Sequence, residues 1–211
     1  MTEAKPTVLI VDDDQDVREA LQGLLRTVGL PSRAMASLPE FLKSELPSGP
    51  TCLILDVRLP GRSGLDFQRE LTAANVNIPI IFITGHGDIP MSVQAMKGGA
   101  IEFLTKPFRD QELLDAIQLG LSRDRARHEN EGALVALKER FESLSPRERE
   151  IMVQVALGRL SKQIAGDIGI AEATVKVHRS RLMRKMKAHS LLSLSRMAEK
   201  LHLVPDEPQH C

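Results

Sequence analysis

The 211 residues suffice for one or two domains at about 150 residues each. With 42% hydrophobic and 27% charged residues, the composition is that of a folded globular protein. No apolar run approaches the roughly 18–20 residues needed to cross a bilayer, residues 1–6 lack the apolar core of a secretory leader, and two cysteines cannot make a disulfide scaffold. The expected location is therefore the cytoplasm, with no membrane partner. The net charge of zero hides an asymmetry: residues 1–122 carry a net −5 and residues 145–204 a net +7. An acidic half joined to a basic half implies two domains with different partners, the basic one suited to nucleic acid. The absence of Trp and Tyr argues against a single-strand binder built on aromatic stacking.

Four short apolar runs in the first half each end in a polar residue. Val8-Leu9-Ile10-Val11 meets Asp12-Asp13-Asp14, and Cys52-Leu53-Ile54-Leu55 meets Asp56. Ile80-Ile81-Phe82-Ile83 meets Thr84, and Ile101 to Thr105 meets Lys106-Pro107. Continuous runs of this length suit strands buried on both faces, and so a parallel sheet. Between them, Val17, Leu21, Leu24, Leu25 and Val28 form one helical stripe. Leu38 to Leu46, Leu65 to Leu71, Met91 to Met96, and Leu113, Leu114, Ile117 and Leu121 predict four more helices. A strand near Arg33 to Met35 is required by the alternation more than by its own residues. The pattern predicts a doubly wound α/β domain with five parallel strands. Ligands in such sheets sit beyond the carboxyl ends of the strands, where Asp12, Asp13, Asp56, Thr84 and Lys106 fall.

Residues 123–142 are highly charged, contain Gly132 and no Pro, and place Leu134, Leu137 and Phe141 at helical spacing. A helical extension and a flexible charged tether both fit. Beyond them the chain predicts helices only. Ser145-Pro146-Arg147-Glu148 is a capping box with Pro at the first helical position. Ile151, Met152 and Val155 give that helix its buried side. Ser161 is expected to cap a short helix from Lys162 to Asp167, and Gly169-Ile170 to make a tight turn. A basic helix then runs from Ala171 to about Lys187, with Val175, His178, Leu182 and Met186 inward. A last helix spans about Ser190 to Leu201. A short helix, a turn and a basic helix are the parts of a helix-turn-helix. The expected boundaries are 1–122, a linker over 123–142, 143–204 for the small all-α domain, and a disordered tail over 205–211.

Three converging carboxylates repel one another and need a cation among them. A hard divalent ion with oxygen ligands, Mg²⁺ or Mn²⁺, meets that need. A carboxylate can also act as a nucleophile towards a phosphoryl group, with Lys106 and Thr84 neutralising and holding the transferred oxygens. Singly, each residue has a plainer reading: Asp12 to Asp16 as turn and helix-capping carboxylates, Thr84 as a strand end, Lys106 as a surface cation.

Val11-Asp12-Asp13-Asp14, Leu55 to Gly61, Ile83-Thr84-Gly85 and Phe103 to Phe108 together resemble the receiver domain of bacterial response regulators, over roughly residues 5–122. The resemblance implies a flavodoxin-like fold with Asp56 as phosphoacceptor. It implies a Mg²⁺ site at Asp13, Asp56 and the Arg58 backbone carbonyl, with Asp12 assisting through water. Thr84 and Phe103 would be the switch residues, Lys106 the phosphate-binding lysine and Lys106-Pro107 a cis peptide. Leu144 to Glu150, Lys162-Gln163-Ile164-Ala165 and Thr174 to Arg179 resemble the LuxR-type DNA-binding domain. That resemblance implies base-facing Lys176, Val177 and Ser180, with Thr174, Arg179 and Lys185 near phosphates. Two positions depart from it: Ser161 replaces the Asn that commonly precedes the lysine, and Ala171 stands where Ser or Asp would cap the recognition helix. His178 is expected to pack rather than bind metal.

The whole chain looks like a response regulator of the FixJ and NarL family, nearest the FixJ type, to which His86-Gly87-Asp88-Ile89-Pro90-Met91 adds weight. The expectation is a DNA-binding transcription regulator, an activator by analogy. A sensor histidine kinase would phosphorylate Asp56. Dimerisation through the helix Met91 to Gly98, with Val93 and Lys97, would follow, then binding to double-stranded promoter DNA and possible engagement of RNA polymerase. Enzymatic turnover is not expected beyond Mg²⁺-dependent self-phosphorylation and autodephosphorylation. Two rivals are a constitutive DNA binder with a remnant receiver and a metal-dependent phosphatase. The second leaves the basic domain unexplained.

Overall fold

The computed structural model describes residues 5–204, and the tail expected over 205–211 lies outside them. The chain divides between Glu129 and Asn130 into two compact units.

The first unit is a five-stranded parallel sheet of order β2-β1-β3-β6-β7. Its strands are β1 (Thr7–Val11), β2 (Ser32–Met35), β3 (Thr51–Asp56), β6 (Ile80–Thr84) and β7 (Glu102–Thr105). The continuous apolar runs follow from burial on both faces, because successive side chains alternate between two cores. Leu9, Val11, Leu53, Leu55, Ile80 and Phe82 face one core. Val8, Ile10, Cys52, Ile54, Ile81 and Ile83 face the other. The first core is closed by α2 (Leu38–Lys43), α3 (Gly64–Ala73) and α4 (Ile89–Lys97), through residues such as Phe41, Phe67, Leu71 and Ala95. The second is closed by α1 (Gln15–Thr27) and the start of α5 (Asp110–Glu142), through Leu21, Leu25, Leu113 and Ile117.

The weakly signalled strand is present as β2, paired in parallel with β1. α2 is shorter than its apolar residues suggested: it stops at Lys43, with Ser44 in extended conformation, so Leu46 lies outside it. An antiparallel ribbon of β4 (Arg58–Leu59) and β5 (Arg62–Ser63) was not foreseen. Two residues per strand are too few for an alternation to register in the sequence.

Residues 123–142 are helical throughout, as the later part of α5, and Gly132 does not interrupt it. Glycine in a helix interior costs about 0.5–1 kcal/mol relative to alanine, a penalty that a 33-residue helix absorbs.

The second unit contains the end of α5 with α6 (Pro146–Ala156), α7 (Ser161–Ile168), α8 (Glu172–Met186) and α9 (Leu191–Lys200). Its core gathers Leu137, Leu144, Ile151, Met152, Val155, Ile164, Val175, Leu182, Met186 and Leu194. The Ser145 capping box forms: Glu148 N–H donates to Ser145 Oγ at 3.3 Å, and Ser145 N–H donates to Glu148 Oε2 at 2.9 Å. Gly169, at φ 67°, takes the left-handed conformation that turns α7 into α8. Ser161 does not cap α7. It is the first helical residue, Leu160 occupies the cap position without a side-chain bond, and Gln163 Oε1 accepts the Leu160 N–H at 2.9 Å. The helix therefore starts one residue earlier than expected, and the Ser161 hydroxyl is spent elsewhere.

Candidate phosphoryl pocket and DNA-binding face

Strand order reverses between β1 and β3, which puts their carboxyl ends side by side: Val11 pairs with Leu55, and Asp12 and Asp56 come next. β6 and β7 add Thr84 opposite Thr105, followed by Lys106. Asp12, Asp56, Thr84 and Lys106, from the ends of four strands, are thereby brought to one end of the sheet by pairing register.

Lys106 Nζ bridges the two buried carboxylates, donating to Asp12 Oδ2 at 2.7 Å and to Asp56 Oδ2 at 3.0 Å. The other oxygens serve the local turns: Asp12 Oδ1 accepts the Asp14 N–H, and Asp56 Oδ1 accepts the Arg58 N–H at 2.8 Å. Ligand oxygens of Asp12, Asp13 and Asp56 lie within 4.8 Å of one another, with Asp13 exposed. They form the one such converging group of His, Cys, Asp and Glu among the described residues. Burial, reinforced by the charge of Asp56, holds the Asp12 carboxyl above its ordinary range even against the pull of Lys106. Burial acts to lower Lys106, but its bonds to Asp12 and Asp56 outweigh it and hold the ammonium above its ordinary value. The pocket is short of positive charge, and its donors are hard oxygens at a mouth open to solvent, which fits a small divalent cation. Asp12, Asp13 and Asp56 are the groups that could hold one.

Thr84 is fully buried, and its Oγ1 accepts the His86 N–H at 3.3 Å. Phe103 is half-buried, its ring 6.4 Å from that of Phe82. The Lys106-Pro107 peptide is cis. Asp14 caps α1, accepting the N–H groups of Asp16 and Val17, so the plainer capping reading holds for that residue of the acidic run. Val93 and Lys97 lie exposed on α4, beside exposed Ile89 and Met96.

Several residues that shape the pocket were not singled out from the sequence. Arg18 Nη1 donates to the Asp12 carbonyl at 2.7 Å. A side-chain carbon on Gly64 would stand 2.4 Å from the Asp56 carbonyl oxygen, and one on Gly87 would meet Thr105, Phe103 and Thr84 within 3.2 Å. The position of Gly87 beside the Thr84 motif was the signal available for it, and nothing local marked Gly64.

On α8, Lys176, Val177 and Ser180 are exposed, as is Thr174, while Val175, Leu182 and Met186 are buried. Lys176 Nζ pairs with Glu172 at 2.8 Å. Arg179 Nη1 donates to Ser161 Oγ at 2.9 Å. Lys185, expected near phosphates, places its ammonium 2.7 Å from buried Glu148 Oε2 and 3.1 Å from the Ser143 carbonyl. Burial alone would raise the Glu148 carboxyl, but Lys185 and the Ser145 N–H hold it below the usual range. His178 is half-buried, with Nδ1 enclosed and without a hydrogen-bond partner among the described residues.

Comparison with known proteins agrees with this geometry. Residues 8–118 match the response regulator receiver domain, and residues 142–198 match the luxR family of bacterial regulatory proteins. The chain is 55% identical to nodulation protein W of Bradyrhizobium diazoefficiens, across 93% of this chain and 87% of the relative. It is 42% identical to the transcriptional regulatory protein FixJ of Azorhizobium caulinodans, across 94% of this chain and 93% of that one. The structure of the response regulator StyR superposes with a TM-score of 0.83 at 49% identity, covering 93% of this chain and all of that one. With receiver and LuxR-type unit in one chain, and relatives alike over more than nine-tenths of its length, this protein belongs to the two-component response regulators of the FixJ type, transcription regulators with a DNA-binding output.

Proposed function

We propose that Asp56 is the phosphoacceptor of this regulator and that its phosphorylation by a sensor histidine kinase controls receiver dimerisation and binding to promoter DNA. The observation that carries the reading is the Lys106 ammonium bridging Asp12 and Asp56 with Asp13 alongside. An Asp56 oxygen attacks the phosphorus as the P–N bond of the kinase's phosphohistidine breaks. The Lys106 ammonium moves from the carboxylate to the transferred oxygens, and the Thr84 hydroxyl, which accepts from His86, keeps its own hydrogen to give to one of them. A Mg²⁺ (or Mn²⁺) held by Asp12, Asp13, Asp56 and the Arg58 carbonyl would neutralise charge on the phosphoryl group. The same pocket would serve Mg²⁺-dependent self-phosphorylation and autodephosphorylation at Asp56, without turnover of an external substrate.

Inward movement of Thr84 and Phe103 alters α4 and β7, whose outer face offers Val93 and Lys97 to a second copy. The apolar side chains Ile89, Val93 and Met96, each at least 45% exposed, favour such pairing. A ligand-driven change of this kind acts only through differential stabilisation of two conformations. We assign residues 1–122 to the receiver, 123–142 to a helical linker and 143–204 to the DNA-binding domain. Lys176, Val177 and Ser180 face bases, Thr174 and Arg179 face phosphates, and Lys185 divides its charge between Glu148 and any phosphate. The protein acts in the cytoplasm as an activator, with RNA polymerase as a further partner.

The test is sedimentation of wild type and Asp56→Asn with Mg²⁺, with and without beryllofluoride. A monomer-to-dimer shift in the wild type alone supports the reading. A shift in both proteins removes Asp56 from the switch, and no shift in either removes dimerisation as the output.

A further inference from the structure

We infer that Ser161 is a positioning residue for Arg179, holding its guanidinium at the edge of the recognition helix for the DNA backbone. The inference rests on the DNA-binding reading of residues 142–198.

Ser161 opens α7, and its hydroxyl is not used as a cap, since Leu160 holds that position and Gln163 takes the Leu160 N–H. The oxygen instead accepts from Arg179 Nη1 at 2.9 Å, across 18 residues of sequence and from one helix of the motif to the other. Arg179 lies half-buried, four residues beyond core residue Val175 and three beyond exposed Lys176. It therefore stands at the border between the buried stripe and the face carrying Lys176, Val177 and Ser180. A recognition helix in a major groove turns its outer face to base edges and its borders to the phosphates on either side.

The chemistry of the pair suits a phosphate. A guanidinium has five N–H donors and the Ser161 bond uses one, while a hydroxyl that accepts from arginine still has its own hydrogen to donate. Ser161 and Arg179 can thus grip one phosphate together, with the arginine already ordered by the serine. Holding a long side chain in its bound geometry beforehand removes part of the entropy that binding otherwise loses. The departure at this position is then functional: Ser161 replaces the common Asn with a shorter group that still offers an oxygen to Arg179.

The test uses the full chain and a random-sequence duplex of about 30 base pairs, followed by fluorescence anisotropy across a salt series. Ser161→Ala is expected to weaken binding about 3- to 10-fold near 0.1 M salt and to lower the slope of log K against log salt by about 0.9, the loss of one phosphate neutralised. Arg179→Ala should lose the same slope, and the double variant should be no weaker than Arg179→Ala, because both act through one guanidinium. Ser161→Asn, whose amide oxygen can accept the same bond, should restore affinity and slope. A merely structural role would lower thermal stability and leave the slope unchanged. A wild-type slope in Ser161→Ala, or losses that add in the double variant, overturns the assignment. If Ser161→Ala does not fold, a wild-type slope in Arg179→Ala overturns it equally. Failure of the wild type to bind duplex at all overturns the DNA-binding reading itself, and the inference with it.

Discussion

Gly64 shows how closely the backbone is drawn around the acidic pocket. Any side-chain carbon there would meet the Asp56 carbonyl oxygen at 2.4 Å and Leu55 Cγ at 3.2 Å, and Gly64 N–H donates to the Val57 carbonyl. Backbone cannot rotate aside as a flexible side chain can, so Gly64→Ala should cost about 1–3 kcal/mol and displace Asp56. A lowered denaturation midpoint together with a weakened beryllofluoride response would bear this out, and an unchanged midpoint would refute it. Glu148 carries a different dependence. Its carboxyl lies below its ordinary 4.5 through Lys185 and Ser145. A depressed folded value means the unfolded state binds protons more tightly, so this stabilisation is full above the ordinary value and is lost as pH falls through the folded one. As pH falls through the ordinary 4.5 and below it, the second unit should therefore lose stability more steeply in wild type than in Lys185→Met, as read by thermal melts at each pH. Parallel curves would show that the ion pair contributes nothing.

Among the elements, α8 is built without its best start. Ala171 has the extended backbone of a cap residue, φ −67° and ψ 144°, but no side chain to accept the orphan N–H groups of the first turn. Ala171→Ser should stabilise the second unit by about 1 kcal/mol, seen as a raised melting midpoint, and no gain would mean that those groups are already satisfied. α5 is held by a buried carboxylate. Asp124, 1% exposed, accepts the Thr51 N–H at 2.8 Å from the first residue of β3 and pairs with Arg127 Nη2 at 2.8 Å and His128 Nε2 at 3.2 Å. Asp124→Ala deprives a buried backbone N–H of its acceptor and should cost about 2 kcal/mol, with faster amide exchange at Thr51. Asp124→Asn keeps an acceptor oxygen and should cost less. Equal effects would place the whole contribution in charge.

For the molecule entire, the charge asymmetry has a structural counterpart, since the chain divides into two compact units with separate cores. Asp12 and Asp56 of the first unit stand at strand ends, and Lys176, Arg179, Arg181, Arg184 and Lys185 of the second stand on α8. Four of the five strands were legible from their apolar runs, and the helices of the second unit from helical spacing and from capping residues such as Ser145 and Glu148; the order of the strands in the sheet was not. The β4–β5 ribbon and the true start of α7 were not. One is too short for a period to register, and the other depends on Gln163 reaching back to Leu160, a choice that neighbouring residues leave open.

Residue types and their order were enough to specify the two-unit architecture, the acidic pocket and the basic helix, because apolar runs of four or five residues and helical stripes are local properties of the chain. Tertiary structure alone decided which groups the charged side chains meet. Lys106 joins Asp12 across 94 positions of sequence, Lys185 turns inward to Glu148 across 37, and Arg179 is drawn to Ser161 across 18. Such pairings are set by strand register and helix crossing, which bring distant residues within about 3 Å, where charge-assisted hydrogen bonds are strong. A lysine on an exposed stripe and a lysine committed to a buried carboxylate look alike until the fold has placed their neighbours.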